Sequence, residues 1–242
     1  MKILVCSLLC ITSLYSVNSF ACSGSLLELI NKGHDVYLGD THGTNEIPAL
    51  VKCLVKERLK TKISEPLVVA LEDTSESLIS DSDVWYGKDG RNSIAMWELV
   101  EYLKLQKKLG NIDLFMLLDS VDVSMFKHSF DQNEYEKQIG IGLRHVTEGS
   151  QVIALSGSFH SRKRAPSFSP EVIPAGSYVA DSMLHISIEP LNDGEYWACL
   201  REGCKVVKSS SFTNSAESSS DLIDGEIVEH DYIYFLDKFS RL

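Results

Sequence analysis

Two hydrophobic spacings alternate along the chain. Short apolar runs at 36–38, 67–71, 112–118, 151–155 and 232–236 have the length expected of strands, and the run at 67–71 is the uninterrupted kind covered on both faces. Between them apolar residues recur at helical spacing: Leu26, Leu27, Leu29 and Ile30 ahead of Gly33; Ile47, Leu50, Val51, Leu54, Val55 and Leu59 around Pro48; Ile94, Met96, Trp97, Leu99, Val100 and Leu103; and a further stretch at 135–146. That spacing predicts four helices, the second capped by Thr44 or Asn45 with Pro48 in its first turn. Strands and helices in alternation predict an α/β fold with a largely parallel central sheet and helices on both faces. Toward the carboxyl end, β-prone runs at 185–188 and 195–199 flank Asn192-Asp193-Gly194, a turn signal that predicts an antiparallel hairpin at the sheet edge.

Three segments fall outside this alternation. Residues 1–21 carry Lys2, an apolar run and Ser19-Phe20-Ala21, and read as a signal peptide rather than a spanning anchor, because the run is short and interrupted by Ser7, Thr12 and Ser13. That leaves 22–242 as a single α/β domain bound for secretion or the periplasm; lipid anchoring through Cys22 is disfavoured by Ser19 and Phe20. Residues 73–91 are polar and irregular and suit a lid, with Trp85 and Tyr86 as pocket-lining or packing aromatics. Residues 208–221 are rich in serine and read as a solvated loop.

Charge and cysteines narrow the setting. With 34 acidic against 23 basic residues the formal net charge is -11, which argues against a nucleic-acid or anionic-membrane partner and leaves a small molecule or peptide as substrate. Four cysteines follow the signal peptide, an even number in an oxidising compartment. Cys199 and Cys204 flank a tight turn through Arg201-Glu202-Gly203, and elimination then pairs Cys22 with Cys53.

The candidate chemistry sits at strand ends. Gly-x-x-His occurs twice, as Gly39-Asp40-Thr41-His42 and as Gly157-Ser158-Phe159-His160, each directly after a strand. Ligands of open α/β sheets bind outside the carboxyl ends of strands, where glycine allows a sharp turn. Glu72 and Asp119 end two further strands, so four ionisable side chains are expected on one edge. Two imidazoles and a carboxylate suit general acid/base work or a divalent metal held by His42, His160 and Glu72. Glu46, one helical turn after His42, is placed to support it. No Gly-x-Ser-x-Gly elbow accompanies Ser156 and Ser158, which disfavours a serine hydrolase.

The run from Leu38 to Pro48, followed by a helix and Val68-Val69-Ala70-Leu71-Glu72, resembles the opening of the erythromycin esterases, and the second Gly-x-x-His extends the likeness. These esterases, haem-uptake lipoproteins of the ChaN type and the TraB/Tiki metalloproteases form a related group. The resemblance spans about 36–160 and implies catalytic roles for His42, Glu72 and His160, and a substrate clamp in Arg91. Asp40 stands where the esterases tend to carry glutamate, and the chain is short. The expected activity is a secreted hydrolase, metal-assisted or not, that activates water against an ester or amide; the alternative is noncovalent haem or metal binding. His34, His128, His145, His185 and His230 read as ordinary structural histidines, and Arg162-Lys163-Arg164 as a solvated loop or an anion-attracting rim.

Overall fold

A computed structural model describes residues 22, 24–78, 91–122, 124, 130–200, 203–212 and 222–240. The expected signal peptide over 1–21, Trp85, Tyr86, His128 and most of the expected lid lie outside the described residues.

Every apolar run identified in the sequence forms a strand: β1 Val36–Asp40, β2 Leu67–Leu71, β3 Asp113–Met116, β4 Gln151–Gly157 and β9 Tyr232–Leu236. The helical spacings form α1 Ser25–Asn31, α2 Glu46–Arg58, α3 Ile94–Lys108 and α4 Gln132–Val146. β5 Leu184–Pro190 and β8 Leu222–Asp224 complete a seven-stranded sheet of order β3-β2-β4-β1-β5-β9-β8, parallel except where β8 runs against β9. β1, β2 and β4 are buried from end to end, which is why their sequences show no polar alternation.

Successive residues of β1 face opposite layers. Val36 and Leu38 pack with α1, α2 and α3, whereas Tyr37 packs with Tyr135, Ile139 and Leu143 of α4 on the other side. The sheet is therefore covered on both faces. The chain leaves β1 toward α2 on one face, and residues 161–183 leave the adjacent β4 toward the α4 face. The crevice between β1 and β4 is thus a switch point, where such sheets bind ligands.

The hairpin differs in its strands from the sequence expectation. β5 lies in the parallel sheet between β1 and β9, and the antiparallel pair is β6 Gly194–Leu200 with β7 Gly203–Ser209, a separate two-stranded sheet. Asn192-Asp193-Gly194 only redirects the chain, with Asn192 bonded to Asp237, while the β6–β7 pairing runs from Gly194 opposite Ser209 to Leu200 opposite Gly203. The β6–β7 register sets Cys199 opposite Cys204, and Cys204 is disulfide-bonded; the Cys199 side chain lies outside the described residues. Cys22 is bonded to Cys53 on α2, as elimination predicts. That bond commits the sulfur that lipid attachment would require.

The basic cluster is spent on structure. Arg162 pairs with Glu229, Lys163 with Asp231 at 2.7 Å and Arg164 with Glu226 at 3.5 Å, which fastens the loop after β4 to the turn before β9. His185 and His230 are buried beside it, on either side of Ser161: His185 Nδ1 meets the Ser161 carbonyl at 2.6 Å and His230 Nε2 its hydroxyl at 2.8 Å. Among the described residues no helix is long and apolar enough to cross a membrane.

Candidate active site

Parallel pairing of β1, β2 and β4 brings His42, Glu72 and His160 to one edge of the sheet. Glu72 follows β2 immediately, and its backbone N–H donates to the Leu155 carbonyl of β4. Its side chain is almost wholly buried; Oε2 accepts from the Gly157 N–H at 2.7 Å and Oε1 from Arg91 Nη1 at 3.1 Å. The two imidazoles approach the same carboxylate, His42 Nε2 lying 3.8 Å from Oε2 and His160 Nε2 3.5 Å from Oε1.

Each imidazole is held at its other nitrogen by a second carboxylate. His42 Nδ1 lies 2.8 Å from Asp40 Oδ2, and His160 Nδ1 lies 2.8 and 2.9 Å from the two oxygens of Glu136. Asp40 entered the sequence reading only as a departure from the esterases, and Glu136 did not enter it. A sequence signal for Glu136 existed: it falls on the α4 stripe that buries Ile139, Gly140 and Leu143, where a charge is out of place.

The charges follow from these contacts. Burial would raise the Glu72 carboxyl, but the cationic neighbours His160, His42 and Arg91 together with the Gly157 N–H hold it below the usual carboxylate range. Burial would depress His160, yet Glu72 and Glu136 outweigh it and lift the imidazole to about 9. His42 is likewise raised, as Asp40 and Glu72 outweigh its burial. Burial pushes the phenol of Tyr135, which bonds Arg91, well up.

Two glycines make room. A Cβ on Gly157 would lie 3.1 Å from His42 Nε2 and 3.5 Å from Glu72 Oε2, so the second motif brings backbone where a side chain would crowd the site. Gly43 has φ 81°, and a Cβ there would stand 1.9 Å from the Trp197 carbonyl oxygen, because β6 docks on the turn after His42 through a Trp197 N–H bond to the Gly43 carbonyl.

Outside the triad lies an open cleft of about 770 Å³, bounded by His42, Glu72, Arg91 and His160 and, on its apolar side, by Phe130, Tyr135, Phe159 and Val172. Two expected members are directed elsewhere. Asp119 lies beyond β3 in a 3-10 turn, exposed, and accepts from the Ser75 N–H and hydroxyl, so it organises the loop after β2. Glu46 accepts at both oxygens from Ser240 and ties the carboxyl-terminal segment to α2; Asp40 supports His42 in its place.

The donor set does not fit a divalent ion. Both Glu72 oxygens are engaged by Arg91 and the Gly157 N–H, and among the described residues no group of three or more His, Cys, Asp or Glu is arranged to hold a metal.

No family model matches the chain, and no curated protein does. Solved structures do share its fold. A mutant of the erythromycin esterase EreC in its open conformation superposes with a TM-score of 0.57 at 9% identity, over 89% of this chain and 93% of the other. A succinoglycan biosynthesis protein gives 0.57 at 12% identity over 91% and 93%, and a Bacillus cereus protein 0.54 at 12% over 93% and 95%. The chain is similar in fold to an erythromycin esterase along nearly its whole length.

Proposed function

We propose that this protein is an exported hydrolase that activates water between His42, Glu72 and His160 and cleaves an ester or amide bond. One observation carries the reading: two imidazole Nε2 atoms converge on the two oxygens of a single buried carboxylate, at 3.8 and 3.5 Å, on the wall of an open cleft. The fold likeness to an erythromycin esterase is consistent with it. A signal peptide over 1–21 and the Cys22–Cys53 disulfide fit export. The net charge of -11 and the cleft suit a small molecule or short peptide better than nucleic acid.

The proton inventory defines the steps. His42, the more exposed imidazole, takes a proton from water at Nε2 as the water oxygen attacks the carbonyl carbon. Arg91, on the cleft wall, offers positive charge to the oxyanion that develops. His160 gives its Nε2 proton to the departing alkoxide or amine as that bond breaks, and the proton on His42 then returns to His160 past Glu72. No step requires a metal.

Initial rates on a panel of p-nitrophenyl esters and anilides test the proposal. The wild type is expected to hydrolyse at least one of them, and His42→Ala and His160→Ala to lose roughly 10²–10⁴-fold in kcat while still folded. Retention of full activity by both folded variants would remove the proposal.

A further inference from the structure

Glu136 is fully buried on α4, and a carboxylate in such a place is costly unless its oxygens are met. They are met from three directions. Oε2 accepts from the Ala175 N–H at 3.0 Å, Oε1 from the Gln132 amide, and both face His160 Nδ1. Packing alone gives no reason for a charge here, since α4 turns this stripe into the apolar layer with Ile139 and Leu143. The same imidazole is flanked by the rings of Tyr135 at 5.8 Å and Phe159 at 5.9 Å, both edge-to-face.

We propose that Glu136 is the positioning residue for His160: it keeps Nδ1–H turned to the core, so that Nε2 is the ring atom presented to Glu72 and the cleft. This rests on the hydrolytic reading of the site. The Glu136 carboxylate fixes the tautomer and the ring plane of His160. The two histidines are therefore unequal. His42 is held by a carboxylate two residues away at the same strand end and its side chain is 29% exposed, whereas His160 is braced from a different element, between two aromatic rings, at 16%. Such bracing suits a group that must deliver a proton along one direction to a leaving atom, and the looser imidazole suits a base that meets a mobile water.

The test is Glu136→Gln, read two ways. A glutamine carries no charge and replaces one of the two acceptor oxygens that face His160 Nδ1 by an NH2 donor, so the two-oxygen hold on Nδ1–H is lost. Above pH 9, where the His160 ring is neutral, its imidazole ¹⁵N resonances in the substrate-free protein are expected to leave the Nδ1–H pattern. kcat on an ester that the wild type hydrolyses is expected to fall roughly 10- to 10³-fold with KM within about threefold. Glu136→Asp keeps the charge one methylene further back; it is expected to retain the Nδ1–H pattern and part of kcat, and it carries the test if the glutamine variant does not fold. Unchanged His160 resonances in a folded variant would overturn the inference, whatever happens to melting temperature. The NMR arm needs no substrate: a shifted His160 signature in a protein that hydrolyses nothing would keep the positioning role and remove the hydrolytic reading.

Discussion

At the scale of single residues, space and charge around Glu72 make separate predictions. Gly157→Ala keeps the N–H that Glu72 accepts but puts a methyl group 3.1 Å from His42 Nε2. The variant should fold normally and lose roughly 10- to 100-fold in kcat, measured beside its circular dichroism, since small misplacements of reacting groups cost that much. The pH–rate profile should be a bell. Its acid limb rises as His42 gives up its proton, above the ordinary histidine range, and its alkaline limb falls near pH 9 as His160 loses the proton it must donate. Strand-end histidines and Glu72 were legible in the sequence because repetition of Gly-x-x-His marks them. Glu136 was legible only as a charge on an apolar helical stripe; its partner was not, because that depends on which helix the fold lays beneath His160, and neither was the use of Asp119 and Glu46 as loop and terminus fasteners. An exposed acid at a strand end looks the same in sequence whether it faces a cleft or a neighbouring serine.

Among the elements, the turn after β1 and the β6–β7 hairpin form one unit. Gly43→Ala asks an L side chain to adopt φ 81° while its Cβ meets the Trp197 carbonyl, so it should destabilise by roughly 1–3 kcal/mol and loosen the hairpin first. Hydrogen exchange at the Trp197 N–H, which bonds the Gly43 carbonyl, would report the loss as faster exchange there than in β1 or β4. The main strands and helices were read correctly because burial on both faces leaves an apolar run and burial on one face leaves helical spacing. The hairpin partner was misread for the opposite reason. β5 and β6 are both β-prone and sit either side of a strong turn signal, but β5 is claimed by β1 and β9, which long-range pairing decides and local turn chemistry cannot show.

For the molecule as a whole, Cys22 and Cys53 close a loop of sequence separation 31, and the chain-entropy account of such a link gives about 3–4 kcal/mol. Replacing both cysteines by alanine should lower the melting temperature by several degrees without changing kcat. Stability should also depend on pH in two directions. His160, raised to about 9, contributes fully below about pH 6.5 and loses that contribution as pH rises through 9. His185 and His230 are held neutral by burial, His230 down to about 3, so their contribution is full above about pH 6.5 and is lost as pH falls toward 3. Of these groups, the sum peaks near pH 6.5, and thermal melts from pH 4 to 10 would show it. What joins sequence, sheet and chemistry is that the two motifs make one site, and a double-mutant cycle on kcat/KM for ester hydrolysis tests this most directly. If His42 and His160 act as one unit through Glu72, the His42→Ala/His160→Ala double variant will be within about tenfold of the worse single variant. Losses that simply multiply in the double variant would mean two independent histidines and would contradict the account.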